Sequence, residues 1–289
     1  MKVIFFIFSL WASILNAADL IIFSFDRPLQ LYAFLESVKK NIDGIDNTYV
    51  IFRTSNEKYL QGYEIVKNDF YDFNFIKQND IYYARDFRKI LMGILGKNIN
   101  ESKYVIFAVD DIIVQENINL REAEKFLETQ DAYGFFIRLG KNIDFTYMLN
   151  LWTGIPSDLK LLNNKIYCWK IRNKSDDWNY PNSLDMTLYR KKDVLNDFKK
   201  IKFHNPNSLE GNWSCISKVG KTCLCYEKSK IVNIPLNLVN ISTNRNMNSY
   251  SPKQLLDIFF EGKKLDLIPI EKLKVNSPHI EYEPTFIDR

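Results

Sequence analysis

The sequence predicts an α/β fold, in which helices cover a mostly parallel, twisted β-sheet. Strand and helix patterns alternate through the first half of the chain, which is typical of βαβ units. The strands of that half are short apolar runs with little polar alternation, as expected for strands that are buried on both faces. The chain of 289 residues is long enough to build one large core. We therefore expect a single domain of this class.

The composition is that of an ordinary globular protein. Hydrophobic residues make up 46% of the chain and charged residues 26%, which excludes a disordered or fibrous protein. The net charge is only +4, and the lysine pairs are scattered along the chain instead of forming one basic stripe. A nucleic-acid-binding protein would cluster its basic side chains on one face. We therefore expect no nucleic-acid partner.

Residues 1–18 have the pattern of a signal peptide or membrane anchor. Lys2 precedes an apolar run from Val3 to Leu15, and the small residues Ala17 and Ala18 follow. The run is shorter than the roughly 20 residues of a helix that spans a membrane. We expect export. Membrane association through an uncleaved anchor is one alternative, and a buried strand at the start of a cytoplasmic protein is the other.

The first half of the chain is predicted to alternate strictly. A buried strand at Asp19–Phe25 is followed by an amphipathic helix at Leu29–Lys40, whose apolar residues recur at intervals of three and four. Further strands are predicted at Thr48–Phe52, Phe73–Ile76, Lys103–Val109 and Gly134–Arg138, and further helices at Tyr59–Val66, Arg85–Gly96 and Leu120–Thr129. Right-handed crossovers between such strands imply a parallel sheet.

The second half is less regular. The predicted elements are strands at Lys165–Ile171 and Leu184–Tyr189, a helix at Lys192–Lys199, a loop at Phe203–Trp213 that enters a helix, a last strand within Ile231–Val239 and a helix at Ser251–Phe260. Ser251 can cap this last helix, and Pro252 suits its first position. We expect one domain over residues 19–250, with the helix and tail of residues 251–289 packed on it.

The chain contains four cysteines beyond the leader: Cys168, Cys215, Cys223 and Cys225. An even number fits one or two disulfides in an oxidising compartment. Cys223 and Cys225 are separated by one residue, which is not the spacing of the usual zinc or redox pairs. Disulfides are therefore one expectation, and buried free thiols are the alternative.

The strongest predicted strand ends in two adjacent carboxylates, Asp110 and Asp111. Ligands of parallel α/β sheets bind beyond the carboxyl ends of the strands. Two neighbouring carboxylates repel each other unless a cation lies beside them. Mg²⁺ and Mn²⁺ accept carboxylate and phosphate oxygens together. The pattern favours a divalent metal that bridges the protein to a diphosphate, and the alternative is an Asp that caps the next segment.

Two segments resemble glycosyltransferases of the GT-A type. The opening run FSFDRPLQLYAFLESV is similar to their first strand and helix. The helix with Arg85-Asp86-Phe87-Arg88, followed by KYVIFAVDDIIV, resembles the exostosin-like branch and is similar to family 2 enzymes. The chain departs from that pattern because Val109 stands where a third acid is common. It also has Glu210 alone where Glu-Asp is common.

The resemblance implies a GT-A-like domain that transfers a sugar from a nucleotide-sugar donor to a hydroxyl of a glycan, lipid or protein acceptor. The implied cofactor is Mn²⁺ or Mg²⁺, held by Asp110 and Asp111, with His279 as a further ligand. Arg27, Arg88 and Asp110 would contact the donor's diphosphate or base. The alternative for an arginine is a surface ion pair, and for His279 it is a packing role.

Three further residues are assigned from their positions. Arg53 ends the second strand, where a ribose or base would bind. Glu210 is the predicted general base that deprotonates the acceptor hydroxyl, and Asp185, within a predicted strand, is the second candidate. The alternative for Glu210 is a carboxylate that stabilises the start of a helix.

Two other functions remain open. A nucleotidyltransferase that makes a nucleoside-diphosphate sugar would share the fold, but it usually needs a glycine-rich phosphate loop after the first strand. The run FSFDRPLQL contains no glycine, which counts against this alternative. The other is a secreted non-catalytic protein, either carbohydrate-binding or a degenerate relative of the transferases.

Overall fold

The computed structural model describes residues 18–97, 102–163, 165–237 and 249–289. Of the predicted leader, only Ala18 lies within these ranges. The end of the predicted strand Ile231–Val239 also lies outside the described residues. Within the described part of the chain, no helix is both long enough and apolar enough to cross a membrane.

The described residues form a mixed α/β structure. Its strands are β1 (Ala18–Phe25), β2 (Ile42–Asp43), β3 (Ile45–Arg53), β4 (Asn74–Lys77), β5 (Tyr104–Val109), β6 (Ile112–Val114), β7 (Ile118–Asn119), β8 (Gly134–Phe136), β9 (Phe145–Thr146), β10 (Leu151–Trp152), β11 (Lys160–Asn163), β12 (Ile166–Lys170), β13 (Thr187–Arg190), β14 (Thr222–Tyr226), β15 (Ile231–Asn233), β16 (Lys263–Leu265) and β17 (Phe286–Asp288). The helices are α1 (Pro28–Asn41), α2 (Glu57–Asp69), α3 (Tyr83–Gly96), α4 (Leu120–Thr129), α5 (Lys191–Phe198), α6 (Pro206–Ser214), α7 (Pro252–Phe260) and α8 (Leu267–Glu271), with 3₁₀ turns at Tyr147–Leu149 and Asp177–Asn179.

One sheet organises the molecule, in the strand order β11-β12-β14-β8-β13-β5-β1-β3-β4. The half built from β5, β1, β3 and β4 is parallel throughout, which confirms the βαβ pattern of the first half. β13 lies antiparallel to both β5 and β8, and β12 lies antiparallel to β14. The less regular second half of the sequence therefore extends the sheet mainly with antiparallel pairs, although β14 lies parallel to β8.

β1 lies inside the sheet because it is apolar on both faces. Leu20, Ile21 and Ile22 have no exposed surface. Phe23 packs its ring on Phe87 of α3, at a centroid distance of 5.4 Å. The next residue, Ser24, points to the opposite face and contacts Tyr63 of α2. Alternating side chains of one strand thus hold two helical layers, as expected for a strand with helices on both sides.

The C-terminal segment packs on the first of these layers. Tyr32 of α1 and Phe259 of α7 have ring centroids 5.8 Å apart. Gly62 of α2 allows a close approach, because a Cβ there would lie 2.8 Å from Pro28 and 3.1 Å from Leu256. α7, whose predicted N-cap Ser251 and first-turn Pro252 are both observed, therefore lies against α1 and α2.

Two predicted elements are corrected by the structure. The segment Phe203–Trp213 was expected to be a loop entering a helix, but α6 already begins at Pro206, after an Asn205 cap with a reciprocal Ser208 bond. Asp185 was placed within a strand, but β13 begins only at Thr187. Met186 has a φ of 49°, and this left-handed residue separates Asp185 from the strand.

The expectation of disulfides is also wrong for this structure. All four cysteines are free, with Cys223 and Cys225 buried, Cys168 half-buried and Cys215 exposed. Cys223 and Cys225 are two residues apart in β14, so they point to the same face of the strand as neighbours in line. Burial raises the pKa of both thiols well above its usual value, which fits the alternative of buried free thiols.

Candidate active site

The carboxyl ends of the parallel strands open into a cleft of about 940 Å³. Asp26 and Arg27 follow β1, Gln78 follows β4, and Asp110 and Asp111 follow β5. The second half of the chain lines the opposite side with loop residues, α6 and part of the tail. This volume is in the range of pockets that hold small-molecule ligands.

Arg27 forms salt bridges with both adjacent carboxylates, Asp110 and Asp111. Its Nη1 lies 3.0 Å from Asp110 Oδ1 and 2.9 Å from Asp111 Oδ2. Its Nε donates to Asn237 Oδ1 at 2.9 Å, and its Nη2 donates to the main-chain oxygen of the same residue. The guanidinium is therefore fixed on both sides, and it supplies the cation that two neighbouring carboxylates require.

Asp110 is the more enclosed of the two acids. Its Oδ2 accepts a hydrogen bond from Ser24 Oγ at 2.7 Å, and Ser24 in turn contacts the Tyr63 hydroxyl. Burial raises the pKa of Asp110 to about 6, against the opposing attraction of Arg27, and Asp111 adds to the rise by like-charge repulsion. This carboxyl therefore ionises near neutral pH.

One carboxylate oxygen of Asp111 is available to bind a ligand or an ion. Its Oδ1 is buried and has no hydrogen-bond partner, whereas both oxygens of Asp110 are engaged. A buried carboxylate oxygen without a donor is costly unless a ligand or ion satisfies it. The donor set thus suits a divalent metal bound through Asp111 together with oxygens from a ligand.

The structure places His279 beside Asp185. Its Nε2 lies 3.5 Å from Asp185 Oδ2, and its ring faces Tyr147 at a centroid distance of 6.5 Å. Across the described residues, no three or more His, Cys, Asp or Glu side chains form a group that could hold a metal. The tail brings His279 to the acidic loop before β13, and its role as a ligand beside Asp110 and Asp111 stays a prediction.

Asp185 and Glu210 form a second acidic pair in the same cleft. Glu210 Oε1 accepts the Leu184 N–H at 2.9 Å, so the carboxylate does not cap its own helix. Burial and the nearby Asp185 raise the pKa of Glu210 to about 7. Burial also raises the pKa of Asp185, while His279 and Arg138 oppose the rise. A carboxyl that titrates near 7 is suited to proton transfer.

Arg53 lies in the cleft between two aromatic rings. Its guanidinium carbon is 4.0 Å from the centroid of Phe25 and 4.2 Å from that of Tyr83. Such stacking leaves the edge of the guanidinium free to donate hydrogen bonds. The structure thus places Arg53 beside the end of β3, as the sequence predicted, on the first-half side of the cleft.

Arg88 lies outside the cleft. Its guanidinium donates to the main-chain oxygens of Ile201 and Phe198, and it covers the Phe203 ring at 4.6 Å. This arginine donates to carbonyl groups at and just beyond the end of α5 and so joins α3 to that helix, while its contact with a donor stays a prediction.

Sequence reasoning missed Arg138 and Asn237. Arg138 is buried and pairs with Asp177 at 3.1 Å, so it is the guanidinium on the side of Asp185 and Glu210. Arg138 directly follows the apolar strand run GFFI, and this position at the end of a strand could have identified it as a candidate site residue. Asn237 carries no such signal, since its role comes entirely from its contact with Arg27.

The comparisons with known proteins agree with the sequence resemblance. No family model matches the chain. The bifunctional glycosyltransferase pgtA of Dictyostelium discoideum is 29% identical over 309 aligned positions, which cover 94% of this chain and 38% of that protein. The chain thus spans well under half of that relative's length.

Solved structures are more distant. S. aureus TarS is 12% identical, with a TM-score of 0.46 over 76% of this chain and 37% of its own. A shorter TarS chain in complex with UDP is 14% identical, with a TM-score of 0.43 over 72% of this chain and 60% of its own. Likenesses at this level do not define a shared fold. The sequence relative, by contrast, confirms along nearly the whole chain the resemblance to glycosyltransferases.

Proposed function

We propose that this chain transfers a sugar from a nucleoside-diphosphate donor to a hydroxyl group of an acceptor. The observation that carries the proposal is the presence of two acidic pairs in one cleft. Asp110 and Asp111 lie at the end of β5 under Arg27, and Asp185 and Glu210 lie on the other side. The similarity to part of a bifunctional glycosyltransferase, which extends over 94% of this chain, supports the same activity.

The donor would bind on the side of the parallel strands. Arg53, stacked between Phe25 and Tyr83, would contact the base or ribose. The diphosphate would lie at Arg27, Asp110 and Asp111, where carboxyl ends of parallel strands converge. Arg27 is already held by Asn237, so it would meet the phosphate oxygens without losing much conformational freedom.

Mn²⁺ or Mg²⁺ would be held by Asp111 Oδ1, the buried oxygen without a partner, and by oxygens of the diphosphate. When bound, the ion would stabilise the negative charge that develops on the leaving diphosphate. Arg27 contributes a second positive charge at the same place. Together they would lower the energy of the departing group.

The acceptor would bind beside Glu210 and Asp185. In the transfer, one of these carboxylates takes the proton of the acceptor hydroxyl. The acceptor oxygen then forms a bond to the anomeric carbon of the sugar. The bond from that carbon to the diphosphate oxygen breaks, and the nucleoside diphosphate leaves with the electron pair.

Two observations count against the alternatives. The turn after β1 is Asp26-Arg27-Pro28, in which Arg27 is engaged with two carboxylates, whereas a nucleotidyltransferase usually has a flexible glycine-rich loop there. Glu210 and Asp185 lie together in the cleft, and burial raises the pKa of Glu210 to about 7, a combination that favours an enzyme over a binding protein. Donor hydrolysis in the presence of Mn²⁺ would distinguish the enzyme from the binding protein.

The first prediction tests the donor site. Thermal-shift measurements with a panel of nucleoside diphosphates and nucleotide sugars, with and without Mn²⁺, identify the donor. The Asp111→Asn variant should then lose the Mn²⁺-dependent part of donor binding in calorimetry, because it removes the charge that holds the ion. The fold should persist, since Asp111 follows the strand and is not part of the apolar core.

The control is Asp257→Asn, which removes an exposed carboxylate of α7 far from the cleft. This variant should bind the donor normally. If Asp111→Asn binds the donor with unchanged affinity and unchanged Mn²⁺ dependence, the assignment of the metal and diphosphate is wrong.

A further inference from the structure

Five large apolar side chains are exposed within eight consecutive residues beside the cleft. The set comprises Met148 (42% exposed), Leu149 (51%), Leu151 (54%), Trp152 (68%) and Ile155 (47%). We call this set the apolar ledge. Single exposed apolar residues are common on proteins, but a concentrated patch of this kind usually marks an interaction surface.

The ledge is held in place by its own contacts. Thr153 and Gly154 both donate their N–H groups to the Asp144 carbonyl oxygen, at 2.8 and 3.0 Å. The Trp152 ring lies 5.2 Å from the Phe145 ring across the β9–β10 pair. The exposure of these side chains therefore results from a defined hairpin, which presents them outward.

The ledge adjoins the mouth of the cleft. Met148 and Leu149 line the cleft together with Thr146. Tyr147, between them and Thr146, faces His279, which lies beside Asp185. A surface that covers the ledge would thus lie next to the side of the cleft where the second acidic pair is found.

The chain around the ledge is basic. From residue 141 to 174 the sequence has two acidic residues, Asp144 and Asp158, and six basic ones, Lys141, Lys160, Lys165, Lys170, Arg172 and Lys174. Arg172 pairs with Asp158 at 2.7 Å, and Lys141 lies 3.5 Å from Glu227. Arg172 and Lys174 line the cleft together with Met148 and Leu149. Asp176 and Asp177 follow directly, so the net charge from residue 141 to residue 177 is +2.

We propose that the apolar ledge docks the protein on an anionic lipid surface, with the mouth of the cleft at the interface. Apolar side chains flanked by lysines are the combination that binds the boundary between lipid headgroups and acyl chains. Tryptophan favours that boundary because its ring is amphipathic. The excess positive charge complements anionic headgroups. The proposal concerns docking alone and does not depend on the proposed sugar transfer.

Sedimentation of the full chain with vesicles tests the proposal. The chain should bind vesicles that contain phosphatidylglycerol more tightly than vesicles of phosphatidylcholine alone, and added salt should weaken the difference. A triple variant, Leu151→Ser, Trp152→Ser and Ile155→Ser, should bind at least about tenfold more weakly, because three apolar side chains are lost from the interface. None of the three lines the cleft, so donor binding should not change.

The matched control replaces three exposed apolar residues elsewhere: Tyr71→Ser, Phe260→Ser and Ile268→Ser, which are 84%, 41% and 59% exposed. Its vesicle binding should equal that of the wild type. A charge variant, Lys160→Glu with Lys170→Glu, should lose binding to anionic vesicles only. If the triple variant folds poorly, this charge variant still tests whether the region binds anionic vesicles.

Fluorescence locates the contact. Brominated lipids quench the fluorescence of a tryptophan that enters the bilayer interface. The decrease in quenching between the wild type and Trp152→Phe measures the contribution of Trp152. A loss supports the docking. The proposal is overturned if the wild type does not bind anionic vesicles, or if the triple variant binds as well as the wild type. Equal quenching of wild type and Trp152→Phe would place the membrane contact elsewhere, for example at residues 1–17, and would also overturn it.

Discussion

At the scale of single residues, two largely buried arginines of the cleft each interact with more than one carboxylate. Arg27 is shared by Asp110 and Asp111. Arg138 pairs with Asp177 and opposes the rise in the pKa of both Asp185 and Glu210. Since burial outweighs these attractions, the pKa values of Asp110, Asp185 and Glu210 are raised, and these three groups keep a proton to higher pH than usual. Activity should therefore respond to pH near neutrality.

The second prediction concerns Glu210. As a general base it works only when ionised, so with a pKa of about 7 the transfer rate should rise between about pH 6 and pH 8. Glu210→Gln should lower transfer by roughly 10²–10⁴-fold and remove this rise. Donor affinity should stay nearly constant, because Glu210 lies on the second-half side of the cleft. Steady-state rates across pH, with calorimetry of the donor, provide the measurement.

Asp185→Asn provides the comparison for this prediction. If Asp185→Asn loses most of the transfer rate while Glu210→Gln keeps a normal rate and pH profile, the general base is Asp185, which lies beside His279. Normal transfer in both variants would mean that neither carboxylate is the base.

At the scale of elements, the loop after β8 depends on the absence of a side chain. A Cβ on Gly140 would lie 2.3 Å from the main-chain carbon of Lys228 and from the nitrogen of Ser229. The two segments are joined there by the Lys141 N–H, which donates to the Glu227 oxygen at 2.7 Å. This contact holds the β8 loop, which carries Arg138, against the segment that leads into β15.

The third prediction follows from this contact. Gly140→Ala should destabilise the protein by about 2–4 kcal/mol, because backbone atoms have to move to accept the methyl group. Gly93→Ala is the control, since nothing lies within 4 Å of a Cβ at this position of α3. It should raise stability by about 0.5–1 kcal/mol through helix propensity. Urea unfolding measures both, and equal stabilities for the two variants would refute the close approach.

At the scale of the whole molecule, the tail is part of both the core and the cleft. Leu255, Phe259, Leu265 and Ile270 are buried. Asn233 donates its N–H to the Pro278 carbonyl oxygen at 2.8 Å, which places His279 at the cleft. The helix and tail therefore depend on the preceding domain, and the second acidic pair depends on the tail.

The fourth prediction is that a chain ending at residue 250 loses cooperative unfolding. Each large apolar side chain of the tail contributes about 1.5–3 kcal/mol when buried, and four of them approach the 5–15 kcal/mol that stabilises a typical domain. Scanning calorimetry measures the transition. A chain ending at Thr285, which removes only β17, should retain it. If the chain of residues 1–250 melts cooperatively at the original temperature, the tail is an independent addition.

Local sequence patterns determined the first half of the fold and the side of the cleft that Arg27, Asp110 and Asp111 line. The apolar run of β1 and the run ending in Asp110-Asp111 predicted buried parallel strands, and the rule that ligands bind at their carboxyl ends placed Arg27, Arg53 and both acids at one edge. These features can be inferred from the order of strands and helices along the chain, because parallel strands place their carboxyl ends at one edge of the sheet even when they are distant in sequence.

The tertiary structure alone decided the side of the cleft that Asp185, Glu210 and His279 line. Glu210, in the second turn of α6, accepts a hydrogen bond from the Leu184 N–H. His279 belongs to the tail and lies beside Asp185. Arg88 donates to the main-chain oxygens of Phe198 and Ile201, at and just beyond the end of α5. Each of these contacts joins residues far apart along the chain. Their local sequence is compatible with a surface role as well as with a buried one. Which role a side chain adopts depends on which distant segment packs over it, because burial and partner charges set its chemistry.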